Sequence, residues 1–251
     1  MDELTEDALL GAMRGAGVIE APLRYDAVTE STNATALEWA RGGAPEWTLV
    51  AAGHQTAGRG RLGRTWVSRP GAALLFSVVL RPDMRPEQAL LLTLLAGTAM
   101  ARACGDAGLE VGCKWPNDLL LAEAKVGGIL TEAAVSRGRI EHVVVGIGVN
   151  LGEPPDIEGA GALPRVGAAP LLASFLGGFR AVYGSGPAFG EEVLRGYRPL
   201  CTTLGRRVSA TTTDGGVVEG VAVDLDDRGG LVVDTGTGHA TVAFGEVRHL
   251  R

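Results

Sequence analysis

Four arginines stand among glycines in GHQTAGRGRLGRTWVSRPG, residues 53–71: Arg59, Arg61, Arg64 and Arg69, with Gly58, Gly60 and Gly63 each just before one of the first three. A guanidinium is a forked, permanent cation suited to carboxylates and phosphates. Glycine lets a ligand come close to the backbone. The pairing therefore points to a small anionic ligand. A solvated basic surface loop is equally compatible with these residues. A nucleic-acid patch is less so, because the chain carries 29 acidic against 23 basic residues, net −6, and the loop lacks interleaved aromatics.

Two nucleotide-binding patterns overlap this stretch. Gly58, Gly60 and Gly63 spell G-x-G-x-x-G, and Gly58, Gly63, Arg64 and Thr65 approach a P-loop with arginine for lysine. Both patterns work by opening a helix whose N-terminus holds the phosphate. Here Pro70 and Gly71 follow, and then ALLFSVVLRP, which reads as a strand. No crossover helix fits, and Asp83, at a plausible spacing for a ribose ligand, sits in a turn after that strand. Neither pattern applies.

Other residues that bear on chemistry are scattered. Ser31 or Thr32 opens STNATALEWARGG, a helix ended by Gly42–Gly43, and on spacing alone either is a helix cap. Lys125 precedes an apolar strand, where a plain edge lysine is expected. Trp66 and Trp115 suit a core as well as a ligand platform, and Gly146 and Gly148 suit tight packing. The four histidines (His54, His142, His239, His249) have no metal-ligand spacing, so no histidine metal site is expected and His54 is given no role. Cys104, Cys113 and Cys201 form no C-x-x-C, which points to a reducing, cytoplasmic setting and not to a disulfide framework or a catalytic thiol.

The elements that must position these groups follow from pattern. At 251 residues and 46% apolar the chain has room for a large core without staples. LTEDALLGAM has helical spacing, and MDELTEDALL is too acidic for a signal peptide. WTLVAAG (47–53) and ALLFSVVLRP (73–82) read as strands, with a helix at 86–108. ALLLTLLAGTAMA (89–101) is too short to span a bilayer and reads as a buried helix. VGCKWPNDLLL is strand–turn–strand, and KVGGILTEAAV and HVVVGIGVNLG are strands. Residues 153–170 form a long loop. Two short helices are expected in 170–197, and then short β runs from about 201 in a small antiparallel sheet or barrel.

The stretches ESTN (30–33), HQTAGRGRLGRTW (54–66), KWPND (114–118), KVGGIL (125–130), VVGIGVN (144–150) and GEVRHLR (245–251), in that order, resemble the biotin protein ligases from about Tyr25 onward. That resemblance implies an α+β fold. Its catalytic domain, residues 1–200, would be class II synthetase-like with a mixed central sheet. A small C-terminal SH3-like β-barrel would follow at 201–251. It implies a cytoplasmic enzyme that uses ATP and Mg2+ to form biotinyl-5′-AMP. Biotin would then pass to a lysine of a biotin carboxyl carrier domain of an acyl-CoA or pyruvate carboxylase.

By position in those motifs, the resemblance implies biotin contacts from Ser31, Thr32, Asn33, Gln55, Gly58, Arg59, Gly60, Arg61 and Lys125. It implies ATP and adenylate contacts from Arg59, Arg61, Arg64, Trp66, Lys114, Asn117, Lys125 and Asn150, with Asn117 and Asn150 facing adenine. Lys125, Arg61, Lys114 and Asp118 would be catalytic, with Mg2+ near Asp118. The helix-turn-helix of the repressor-type members is missing from the sequence. The alternatives are a lipoate or octanoate ligase, which the G-R-G-R loop and KWPND oppose, and a non-catalytic biotin sensor. DNA affinity is expected to be weak and to fall steeply with salt; a gel shift showing tight, sequence-specific binding at physiological salt would overturn this.

Overall fold

In the computed structural model, residues 4–164, 166–212 and 215–250 are described. Arg165 of the 153–170 loop and Arg251 of the terminal GEVRHLR motif therefore lie outside the described residues. Seven strands form one mixed sheet: β1 (Leu23–Asp26), β2 (Leu49–Ala52), β3 (Ala73–Leu80), β4 (Val111–Lys114), β5 (Asp118–Leu121), β6 (Ala124–Ser136) and β7 (Arg139–Asn150). Their order is β1-β2-β3-β7-β6-β5-β4. Only β1 and β2 run parallel; every other pair is antiparallel.

The central strands are apolar on both faces because each face is covered. Side chains alternate along a strand, and the core divides accordingly. Val50, Val79 and Val144 pack with Ala36, Leu37 and Ala40 of helix α2 (Thr32–Arg41) on one face. Leu49, Phe76, Val78, Val143, Val145 and Ile147 join the larger core on the other face. There α3 (Ala89–Asp106) packs against β6 and against α4 (Ala168–Tyr183) and α5 (Phe189–Tyr197), and α1 (Glu6–Gly15) packs on α4. The sequence expectation of two short helices in 170–197 is corrected: α4 begins at Ala168 and has 16 residues. Its aromatic stripe of Phe175, Phe179 and Tyr183 continues along the core and needs that length.

The helix expected at 86–108 is a short 3-10 turn, Pro86–Gln88, leading into α3. Together these 21 residues are long and apolar enough to cross a membrane, which corrects the length argument from the shorter run, but 78% of their apolar 18-residue window is buried inside the protein. All three cysteines are free and buried. Burial pushes the Cys104 thiol up to about 12 and raises those of Cys113 and Cys201. None is poised as a nucleophile.

A second sheet follows: β8 (Arg207–Thr212), β9 (Val217–Leu225), β10 (Leu231–Asp234), β11 (His239–Val242) and β12 (Gly245–His249). It is antiparallel throughout, in the order β11-β10-β9-β8-β12. Among the described residues no ladder joins the end strands β11 and β12. Trp115 ties the two sheets together: its backbone N–H donates to Thr203 Oγ1 at 3.0 Å and its indole Nε1 donates to the Gly229 carbonyl at 2.9 Å. With 1% of its surface exposed, Trp115 is packed in the core beside the cavity wall.

His142 on β7 is 1% exposed, and neither ring nitrogen has a hydrogen-bond partner. Burial lowers its pKa below the ordinary 6.5. The unfolded chain therefore binds the proton more readily, so stability is full above about pH 6.5 and falls as pH drops toward the lowered folded value. His142→Leu should flatten the pH dependence of the urea midpoint between about pH 6.5 and 5; an unchanged slope would show that His142 is not its source.

Candidate functional site

The cavity opens where α2 meets the sheet. Ser31 is the N-cap, extended at φ −160°, and its Oγ accepts weakly from the Ala34 N–H at 3.5 Å. Thr32 is the first helical residue, and both line a cavity of about 190 Å³. Gln55 is brought alongside by a parallel bridge with Thr29. Its Oε1 accepts from the Thr32 N–H at 2.7 Å and lies 3.1 Å from Thr32 Oγ1.

Asn33 turns inward. Its Nδ2 donates to the Leu130 carbonyl at 3.2 Å and to Glu132 Oε2 at 2.9 Å, and its Oδ1 accepts from Ser77 Oγ at 2.6 Å. Ser77, Gly146 and Leu130 are register partners across β3, β7 and β6. The missing side chain at Gly146 makes the room: a Cβ there would overlap the Asn33 amide oxygen.

Residues 58–66 close on themselves as a hairpin. Gly60 N–H donates to the Arg64 carbonyl at 2.7 Å and Trp66 N–H to the Gly58 carbonyl at 2.9 Å. Leu62 (φ 55°) and Gly63 (φ 73°) form the left-handed tip, a conformation that is cheap for glycine and costly for leucine. The hairpin brings its cations to the cavity, where carboxylates from other elements meet two of them. Arg59 pairs with Glu132 of β6, and Arg64 with Glu246 of β12. Arg61 Nη1 donates to Asn117 Oδ1 at 3.2 Å. Burial lowers the Arg61 pKa, an effect opposed by Asp118 and Glu246. Arg69 points elsewhere, to Glu153 at 3.2 Å and the Pro154 carbonyl at 3.0 Å.

Lys125 is not an edge lysine. It lies on β6, between β5 and β7, and its Nζ meets Asp118 Oδ1 at 2.6 Å. A bulge places it there. Leu119 pairs with Gly127 but Leu120 pairs with Lys125, so Val126 is the extra residue. The bulge sends Val126 into the core, at 1% exposure, and turns Lys125 to the face shared by Gly128 and Asp118. The 153–167 loop buttresses this turn: Lys125 N–H donates to the Gly159 carbonyl, and Gly161 N–H to the Lys125 carbonyl, both at 2.8 Å. The Trp66 ring lies over the paired Gly128 and Gly148; a Cβ on Gly148 would come within 2.7 Å of it. Its Nε1 is buried and without a partner, and Lys125 Nζ is 6.0 Å from the ring centroid.

The fold thus gathers Ser31, Thr32, Asn33, Gln55, Arg59, Gly60, Arg61, Arg64, Trp66, Lys114, Asn117, Asp118 and Lys125 around one cavity. Two sequence expectations are displaced. Asn150 is 2% exposed, donates Nδ2 to the Gly161 carbonyl at 2.9 Å, and does not line the cavity. Its position at the end of β7 pins the 153–167 loop instead. Gly58, at the base of the hairpin, lines a second cavity instead, with its backbone against Trp66. Ser77, Glu132 and Glu246 were not anticipated. Ser77 carried a signal, a lone hydroxyl in the apolar run ALLFSVVL; Glu132 carried none, and Glu246 lay in a quoted motif without a role. No group of three His, Cys, Asp or Glu side chains among the described residues could hold a metal ion.

Residues 25–150 match the biotin/lipoate A/B protein ligase family, and residues 203–250 match the biotin protein ligase C-terminal domain. The chain is 35% identical to a biotin–acetyl-CoA-carboxylase ligase of Mycobacterium tuberculosis over 99% of this chain and 96% of that protein. It is 34% identical to the bifunctional ligase/repressor BirA of Bacillus subtilis over 86% of this chain and 70% of that protein. A structure of the Aquifex aeolicus biotin protein ligase, in complex with biotin and ATP, is similar with a TM-score of 0.74 and 26% identity, over 91% of this chain and 99% of that one.

Gly146→Ala should push the Asn33 amide off the seat where it makes three hydrogen bonds. Overpacking of this kind costs about 1–3 kcal/mol. Urea denaturation checks it, and an unchanged midpoint would mean that Asn33 moves freely.

Proposed function

This chain belongs to the biotin protein ligase family, and on that premise we propose that it joins biotin to a lysine of a biotin carboxyl carrier domain, with ATP. The observation that carries the reading is the convergence of Arg61, Lys114 and Lys125 on a cavity whose far end is polar and uncharged. In the first step a biotin carboxylate oxygen bonds to the α-phosphorus of ATP, and the bond to the departing pyrophosphate breaks. In the second, a neutral lysine amine attacks the acyl carbon, AMP leaves, and the amine loses its proton.

The residues suit this sequence. Two anions must approach in the first step, and their repulsion is offset by fixed cations aimed at the developing charge. We assign Lys125 and Arg61 to the carboxylate and α-phosphate, and Arg59, Arg64 and Lys114 to the remaining phosphate oxygens. Ser31, Thr32 and Gln55 bind the biotin ring, while Asn117 and Trp66 serve adenine. The Arg61 bond to Asn117 and the Arg64 pair with Glu246 hold the hairpin over the cavity, which shields a mixed anhydride from water.

Asp118 fits the Mg2+ that accompanies ATP. Mg2+ is typically bound through one or two carboxylates together with substrate phosphates, and Asp118 lines the cavity with Oδ1 beside Lys125 Nζ. When bound, the ion neutralises phosphate charge.

The acceptor is proposed to be the carrier domain of an acyl-CoA or pyruvate carboxylase. The catalytic unit is taken as residues 1–200 and the C-terminal unit as 201–251. Three free, buried cysteines support a cytoplasmic setting. The second reading, a lipoate ligase, is favoured only by the breadth of the matched family.

Biotin-dependent exchange of labelled pyrophosphate into ATP, with lipoate as the control, tests the adenylation step without an acceptor. Exchange with biotin alone is expected; exchange with lipoate instead would reverse the reading. Lys125→Ala should lower the exchange rate by about 100-fold or more, and near-normal exchange by the folded variant would remove Lys125 from the chemistry. Arg61→Gly should speed release of the adenylate and label unrelated lysines; an unchanged adenylate off-rate would deny Arg61 that role.

A further inference from the structure

Three oxygen–oxygen contacts at the polar end of the cavity share two hydroxyl protons. Ser77 Oγ lies 2.6 Å from Asn33 Oδ1 and 2.8 Å from Thr32 Oγ1, and Thr32 Oγ1 lies 3.1 Å from Gln55 Oε1. The Asn33 amide is oriented by Nδ2, which donates to both Glu132 and the Leu130 carbonyl. Its Oδ1 therefore faces Ser77, and an amide oxygen only accepts. Ser77 has one proton, which it gives to Asn33 Oδ1 at 2.6 Å and shares with Thr32 Oγ1 at 2.8 Å. The Thr32 hydroxyl, accepting from Ser77, donates in turn to Gln55 Oε1 at 3.1 Å. Gln55 Oε1 also accepts from the Thr32 N–H at 2.7 Å.

The consequence appears on the cavity side. Thr32 Oγ1, with its proton turned toward Gln55, keeps a lone pair to accept a ligand N–H. Gln55, with its oxygen tied to the helix, has only its NH2 left to offer. We propose that Ser77, Asn33 and Glu132 are positioning residues that set this polarity, so that the end of the cavity takes a ring pairing N–H donors with a carbonyl acceptor, a cyclic urea. The inference rests on the biotin reading of the site and adds to it the residues behind the contact surface. It reassigns Asn33 from ligand contact to orienting group. It also accounts for a serine, 0% exposed, in an otherwise apolar strand, since a buried hydroxyl is costly unless bonded. Gly146 belongs to the same device, because only a missing side chain admits the Asn33 amide. Glu132 has a second partner in Arg59, which links the ring end of the cavity to the hairpin.

Ser77→Ala removes the donor that fixes the Thr32 hydroxyl toward Gln55, with little change of shape. The measurement is pyrophosphate exchange with biotin and with an N-methylated biotin lacking one ring N–H. In the variant the KM for biotin should rise about 10-fold, with the KM for ATP little changed. The preference for biotin over the methylated compound should shrink by a similar factor. Ser77→Cys, which keeps a weak proton donor and acceptor, should recover part of that preference. A melting midpoint without biotin close to that of the parent shows that the fold is intact. If the variant weakens both ligands equally, or leaves their ratio unchanged, the polarity assignment is wrong while the biotin reading stands. If the parent protein neither binds biotin nor exchanges pyrophosphate with it, the functional reading itself fails and takes this inference with it.

Discussion

Positive charge concentrated in one cavity is the constraint around which this protein is built. Arg59, Arg61, Arg64, Lys114 and Lys125 line the same space, and like charges this close repel. Carboxylates drawn from three strands offset the repulsion: Glu132 of β6, Asp118 of β5 and Glu246 of β12. Each pair is partly exposed, so its direct contribution to stability is small. Its importance is positional. Two of these weak pairs, Arg59–Glu132 and Arg64–Glu246, and one amide contact, Arg61–Asn117, place a glycine-rich hairpin whose own backbone bonds define its shape but not its site. An anionic ligand can take over those cations, because the carboxylates hold them without burying them deeply.

The second constraint is space beside a flat sheet. Residues Gly128, Gly146 and Gly148 lie on one face of β6 and β7, where a Cβ at Gly146 or Gly148 would collide with Asn33 or Trp66 and one at Gly128 would press on Trp66 at 3.3 Å. Bare backbone there lets an indole and an amide lie against the strands. The opposite face of the same strands carries Ile129, Val145, Ile147 and Val149, packed into the main core with α3 and α4. One face of a strand pair is thus given to stability and the other to recognition. The period-2 alternation of a strand makes that division available at no cost to either face.

The C-terminal sheet belongs to the site as well as to the fold. Trp115, buried between the two sheets, bonds to Thr203 and Gly229, and the next residues, Pro116 to Asp118, line the cavity. Glu246 and Val247 reach the cavity from β12. A substitution in either sheet at this seam therefore has a direct route to the hairpin.

Much of this was legible in the sequence. Apolar runs separated by turns marked the strands, Ser31 with Gly42–Gly43 bounded α2, and the Gly–Arg stretch announced a cationic loop followed by a strand. The quoted motifs pointed to the family, and most of their residues do meet in one cavity. What the sequence alone could not show was direction. Lys125 faces the cavity because a one-residue bulge reverses its side, and a bulge depends on pairing with β5. Asn150 closes a motif yet turns to the Gly161 carbonyl, because the 153–167 loop folds back beside it. Glu132 and Ser77, 55 residues apart in sequence, act together only because β3 and β6 flank β7. Local periodicity reports which residues are apolar and where the chain turns. Which side chains share a hydrogen bond is decided by strand register, and register is a property of the assembled sheet.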